Sequence, residues 1–239
     1  MRPLEVRREK ETLQYIFNDV YEQAKQKNPE LGHIEICIIE KMEVNACAIG
    51  KHTVAVTKGA LETFGEDELK ALIAHEIAHI LHGDTIATLY TLVGNGLFTG
   101  FILISKAFLF VIDLIVAMAT GSGFARLMMI LGRWSFEVSI IIFMFLMNAV
   151  IAINSRKNEL RADRYAYDLG YGEELINVFT VLEKIQMGDN STIIQKMLKT
   201  HPRLTARIGQ LEDLLDNEEG IENSLQDRIQ QDTPRPLID

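Results

Sequence analysis

The sequence predicts a mostly helical α+β fold with one small sheet, interrupted by a transmembrane helical hairpin. Three observations predict it. Strand-like runs rich in Val, Ile and Thr occur between residues 34 and 57, and helical periodicity flanks them on both sides. Two long apolar runs then fill residues 86–153. With 239 residues, 48% of them hydrophobic and 24% charged, the chain can bury one large core or two small ones, and its apolar content has to be concentrated somewhere.

Taken in order, the opening MRPLEVRREKE is too charged for a signal peptide. No apolar stretch of the needed length follows within the first thirty residues, so no export address is expected. From Glu5 to Lys27, Leu13, Ile16, Phe17, Val20, Tyr21 and Ala24 keep helical spacing against a charged face, and Asn28-Pro29 ends the run. This is an amphipathic helix that covers a core. Ile34–Ile39, Val44–Ile49 and Thr53–Thr57 read as three short strands, the last two joined through Gly50-Lys51-His52 as a hairpin. The edge of such a sheet can hold an extended peptide as an added strand, through main-chain hydrogen bonds that ignore sequence. Asn45, Ala46 and Ala48 are small enough to permit that approach, and equally compatible with being merely small strand residues.

The stretch ALIAHEIAHILHGD, Ala71 to Asp84, carries chemistry. His75 and His79 stand one helical turn apart with Glu76 beside them, so both imidazoles project from one face in the H-E-x-x-H zinc signature. Zinc takes compact nitrogen and oxygen ligands in a tetrahedron and brings the pKa of its water down to about 7. Glu76 is then placed to take that water's proton as it attacks a peptide carbonyl. About one chain in a hundred of this length carries the motif by chance. Here, however, Leu69, Leu72, Ile73, Ile77 and Ile80 fall at core-facing positions, and no Gly or Pro intervenes before Gly83. A net charge of −9 leaves no basic face for nucleic acid. Cys37 and Cys47 lie in strand-like segments, outside any ligand or disulfide pattern, and read as reduced thiols of a cytosolic setting.

Ile86 to Ile104 contains no charge, and at 1.5 Å per residue it comes to nearly the ~30 Å of a bilayer's hydrocarbon. The run continues past Lys106 to Ala119, broken only by Asp113. Gly121-Ser122-Gly123 makes a turn before a second run, Phe124 to Ile153, interrupted by Arg126, Arg133 and Glu137. A soluble protein could cover two such runs only with more chain than remains, so the lipid bilayer is the expected partner. If the turn centres near Gly123, Asp113 faces Arg133 and Lys106 falls near Glu137, because isolated ions at bilayer depth are costly and should pair. The unsignalled residues before the first span, together with Arg156, Lys157 and Arg161 at the return, put both flanks on the cytoplasmic side.

The returning segment, Asn154 to Gly170, reads NSRKNELRADRYAYDLG and sets Glu159 and Asp163 one turn apart on one face. Such a pair is usually a solvated face. Coming just after a hairpin that restores proximity to His75 and His79, Glu159 becomes the third ligand, and Asp163 the acceptor for the outer N–H of a ligand histidine. A third histidine six residues after His79 is ruled out, because that position is Thr85, and His82 sits at the wrong offset.

NACAIG (Asn45–Gly50), AVTKGAL (Ala55–Leu61), HEIAHILHGD (His75–Asp84), NELRAD (Asn158–Asp163) and HPRLTARI (His201–Ile208) together resemble the HtpX-like membrane metallopeptidases, relatives of the CAAX prenyl endopeptidases. The resemblance implies a zincin-like domain of the gluzincin type with one Zn2+ per chain. It also implies a multi-pass protein of the inner cell membrane whose catalytic domain faces the cytoplasm and degrades damaged or misassembled membrane proteins. In that pattern His75, His79 and Glu159 hold zinc, Glu76 is the base, His201 stabilises the oxyanion, and Arg207 lies near it on the substrate side. Read alone, His201-Pro202 is simply a helix start after Thr200. Two departures stand out: an amphipathic helix replaces the two transmembrane helices that usually open these proteins, and Ala206 stands where an acidic residue is usual. A catalytically silent membrane scaffold or metal sensor is the alternative, and the presence of Glu76, Glu159 and His201 together disfavours it.

Beyond Gly170, Leu175–Met187, Ile193–Leu198 and Leu204–Leu215 read as helices that close the domain, after which the sequence turns acidic. The expected plan is therefore residues 1–85 with the zinc helix, 86–153 the membrane hairpin, 154–217 the rest of the catalytic domain, and 218–239 a disordered tail.

Overall fold

In the computed structural model, which describes residues 3–119, 123–188 and 204–232, the chain divides into two compact units. One joins Met1–Gly83 to Arg156–Asp239, and the other is Asp84–Ser155.

The first unit is built on a sheet of β1 (Glu35–Ile39), β2 (Ala46–Ile49) and β3 (Thr53–Thr57) in the order β1-β3-β2. β2 and β3 form the expected antiparallel hairpin, with Ala48 opposite Val54, while β1 pairs parallel to β3 with Ile36 also opposite Val54. Alternation then sends Ala46, Val54 and Val56 into the core, joined by the partly buried Ile36, Ile38 and Ala48.

Helix α1 (Pro3–Lys27) packs against this core through Leu13, Ile16, Phe17, Val20 and Ala24, all buried as their spacing requires. Its neighbour is α3 (Glu66–His82), which follows the short α2 (Lys58–Thr63). Lys70 of α3 also lies 3.2 Å from Asp19 of α1. Burying a Leu or Phe contributes about 1.5–3 kcal/mol and a surface ion pair about 0–1 kcal/mol. Packing, not the ion pair, holds α1 in place.

Three acidic residues, Glu66, Asp67 and Glu68, open α3 and complement its dipole. Gly83 closes it in the left-handed region at φ 71°, donating its N–H to the carbonyls of His79 and Ile80. A side chain there would be strained, so glycine marks where the buried helix stops and α4 (Asp84–Ala119) begins.

The last turns of α5 (Gly123–Asp168) rejoin the core, followed by α6 (Gly172–Gly188) and α7 (Leu204–Asp232). Leu175, Val178 and Phe179 of α6 and Leu204 and Leu211 of α7 are buried, and Tyr167 Oη donates to Leu214 O across 3.0 Å. Where the acidic composition predicts a disordered tail over residues 218–239, the helix that begins at Leu204 runs on to Asp232. The predicted helix Ile193–Leu198 lies outside the described residues.

The second unit is the helical hairpin. α4 has 36 residues, roughly 54 Å at 1.5 Å per residue. Two stretches, Asp84–Val116 and Leu127–Asp168, are long and apolar enough to cross a membrane, each containing an 18-residue segment, of mean hydropathy 2.2 and 2.4 respectively. Leu97, Phe101, Phe108, Trp134 and Phe145 point outward, each more than half exposed. Both expected interhelical pairs form: Arg133 Nη1 lies 3.2 Å from Asp113 Oδ2, and Lys106 Nζ lies 3.4 Å from Glu137 Oε1.

Candidate metal centre

α3 and the end of α5 bring His75, His79 and Glu159 together. The two histidine Nε2 atoms are 3.2 Å apart. Glu159 Oε2 lies 3.6 Å from His75 Nε2, and Oε1 lies 3.9 Å from His79 Nε2. A tetrahedron with bonds of about 2.0–2.1 Å has edges of about 3.4 Å. Three of its corners are therefore nearly in place, supplied by residues that 80 positions of sequence separate.

Behind these three side chains stands a carboxylate and guanidinium lattice. Asp163, one turn beyond Glu159, brings Oδ1 within 2.9 Å of His75 Nδ1, a close electrostatic contact whose angle falls short of a full hydrogen bond. Arg207 grips Asp163 with both arms, Nε donating to Oδ2 at 2.7 Å and Nη2 to Oδ1 at 2.5 Å. Its Nη1 lies 3.0 Å from Glu159 Oε2, and its guanidinium rests 4.1 Å from the centroid of the Phe179 ring. The structure thus turns Arg207, read by resemblance as a substrate-side residue, onto the two carboxylates and buries it to 5% exposure.

Burial opposes charge on His75, but Asp163 and Glu159 override it and raise the imidazole to about 9. Burial likewise pushes Asp163 up, and the hydrogen bonds from Arg207 and then the close contact with His75 more than reverse it, holding the carboxyl below its ordinary range. Desolvation works against the Arg207 charge, and Asp163 above all keeps the guanidinium higher than usual.

Glu76, Glu159 and Asp163 are all buried beside a single buried guanidinium. Three carboxylates against the Arg207 guanidinium and the raised His75 imidazole leave acidic charges in excess in a poorly hydrated place, which is costly unless matched. A divalent cation would match them. With two imidazole nitrogens and one carboxylate as donors, the residues present fit a metal centre.

Beside these side chains, Glu76 Oε2 accepts a 2.7 Å hydrogen bond from Ala48 N on β2, one of the two outer strands of the sheet. Ala46 is buried opposite Val56, and Asn45 N donates to Thr57 Oγ1 at 2.9 Å. His82 packs edge-on against Tyr165 with centroids 6.3 Å apart. His201 lies outside the described residues. Sequence reasoning missed Thr57 and Phe179. Phe179 sits at ordinary core spacing in α6, and nothing local marks it as the floor beneath a guanidinium.

The family model described as Peptidase family M48 matches residues 7–215, most of the chain. The chain belongs to peptidase family M48. The HtpX resemblance carried by five sequence blocks is borne out. The chain is 28% identical to "Protease HtpX" of Tolumonas auensis, covering 84% of this chain and 72% of that one. It is 29% identical to a "Protease HtpX homolog" of Methylacidiphilum infernorum, covering 86% and 74%. A homolog from Neisseria meningitidis is 30% identical, covering 84% and 72%. The crystal structure of S. mikatae Ste24p aligns with a TM-score of 0.48 at 17% identity, over 81% of this chain and 49% of that one. This M48 chain is a metalloprotease acting on polypeptides, and it carries two helices long and apolar enough to cross a membrane.

Proposed function

We propose that the chain is a membrane-anchored zinc endopeptidase. His75, His79 and Glu159 hold one zinc ion, Glu76 is the general base, and damaged or misassembled membrane proteins are the substrates. The observation that carries this reading is the convergence of three ligand atoms within 4.8 Å of one another, next to a buried glutamate. When bound, zinc supplies the Lewis acidity that makes a water nucleophilic near neutral pH.

The chain's own residues do the rest. Glu76 takes the proton of the attacking water and returns it to the leaving amine. Asp163 orients His75 through Nδ1, and Arg207 orients Asp163 and Glu159 in turn, acting on the ligands and not on substrate. β2 offers its outer edge to an extended peptide, with Asn45, Ala46 and Ala48 as the strand that a substrate lengthens. His201, by the resemblance, stabilises the oxyanion.

The hairpin anchors the enzyme as a multi-pass protein of the inner cell membrane, with the catalytic unit on the cytoplasmic side. Arg156, Lys157 and Arg161 support that side as a positive flank.

Metal analysis of detergent-purified chain, coupled to casein cleavage with and without chelator, tests the proposal. The expected result is about one zinc per chain and chelator-sensitive cleavage that added zinc restores. Stoichiometric zinc without any cleavage would favour the silent scaffold or sensor.

A further inference from the structure

The outer strand β2 is four residues long and pairs only with β3 among the described strands. A ladder so short fixes a strand weakly. Its lead-in is instead bolted to the start of α2. The Thr57 hydroxyl shares its one proton between Glu43 O at 2.6 Å and Asn45 O at 2.8 Å, and it accepts from Asn45 N at 2.9 Å and Ala60 N at 3.3 Å. One donor and two lone pairs are all that a hydroxyl has. Thr57 N adds a 3.0 Å bond to Asn45 O.

Two residues on, Gly59 N donates to Lys41 O at 2.9 Å. A Cβ on Gly59 would stand 2.3 Å from Met42 O and 2.7 Å from Glu43 O, so a glycine is what lets the backbone of 41–43 lie so close. Three residues past Asn45, the Ala48 N–H meets Glu76 at 2.7 Å.

We infer that Thr57 and Gly59 form a clamp that sets the outer edge of β2 against Glu76, which makes Thr57 a positioning residue for peptide cleavage. The inference rests on the peptidase reading above, with β2 as the strand that substrate extends. Thr57 itself is only 5% exposed, so its hydroxyl acts on the backbone around it. It acts through Asn45 to Ala48, where a displaced edge loses main-chain pairing with the peptide while the metal ligands on α3 and α5 stay put.

The test uses the full chain in detergent, with metal content measured and an extended fluorogenic peptide as substrate. Thr57→Val keeps the shape and removes the hydroxyl. It should raise KM roughly tenfold or more while kcat changes less than about threefold, the signature of lost uniform binding, with bound metal unchanged. Thr57→Ser should restore KM. Gly59→Ala displaces the same backbone without orphaning a donor and should also raise KM.

The inference is overturned if folded Thr57→Val, or folded Gly59→Ala where the first does not fold, keeps the wild-type KM. It also fails if Thr57→Ser is as impaired as Thr57→Val, or if activity falls in step with lost metal. Should the metal-loaded wild type cleave nothing, the peptidase reading is at fault. Amide exchange then decides the clamp: residues 46–48 should exchange roughly tenfold faster in either variant, and unchanged exchange refutes it.

Discussion

Glu76 stands one residue from His75 and already holds a hydrogen bond from the Ala48 backbone. Glu76→Gln keeps an acceptor for that N–H, so fold and metal should survive while proteolysis drops about a hundredfold or more. Wild-type-like cleavage by this variant would remove Glu76 from the chemistry. The ligand and its support separate in the same way. Glu159→Ala should lose both metal and activity, whereas Asp163→Ala should retain metal more weakly and cost roughly ten- to a hundredfold, as metal titration and initial rates would show. At this scale the sequence was legible wherever chemistry imposes a spacing, as in His75, Glu76, His79 and the Glu159–Asp163 turn. Arg207 was not, because what its guanidinium grips is decided by how α7 docks against α5, and no local pattern encodes that.

Among the elements, the strands and the two apolar helices could be read from periodicity, but the strand order could not. β1 lies parallel to β3, a pairing without any turn to announce it, so the sheet places its last strand in the middle. α3 carries a pH signature of its own. A hydrogen bond to Glu66, with help from Asp19, holds Lys70 above its ordinary range against the cost of burial. A raised lysine stabilises the fold fully below its unfolded pKa of about 10.4 and loses that effect as pH climbs through the higher folded value. The stability gap between wild type and Lys70→Met should thus be flat from neutrality to about pH 10 and close only above it, in thermal melts. In the hairpin, Asp113→Lys should lower the melting temperature in detergent. Exchanging the pair, Asp113→Arg with Arg133→Asp, should recover most of the loss, and equal losses in single and exchanged variants would show that the contact contributes nothing.

For the whole molecule, the metal couples stability to activity. A ligand that binds only the folded state adds about 4 kcal/mol at a thousandfold excess over its Kd. Chelation should therefore lower the melting transition of the unit formed by Met1–Gly83 and Arg156–Asp239 and leave the hairpin's helicity unchanged. Calorimetry and far-ultraviolet dichroism, run together, would show one transition moving and the other signal standing still.

That unit is made from two stretches of chain with the hairpin between them, and the division falls inside the metal centre. A ribosome working at roughly 5–20 residues per second takes about 4–16 s to pass from His79 to Glu159. During that interval His75, Glu76 and His79 exist without Glu159, and the intervening chain is the apolar hairpin. Only a chain translated past Glu159, and so past the whole hairpin, can bring His75, His79 and Glu159 together, so the order of synthesis withholds the candidate site until both apolar helices have been made.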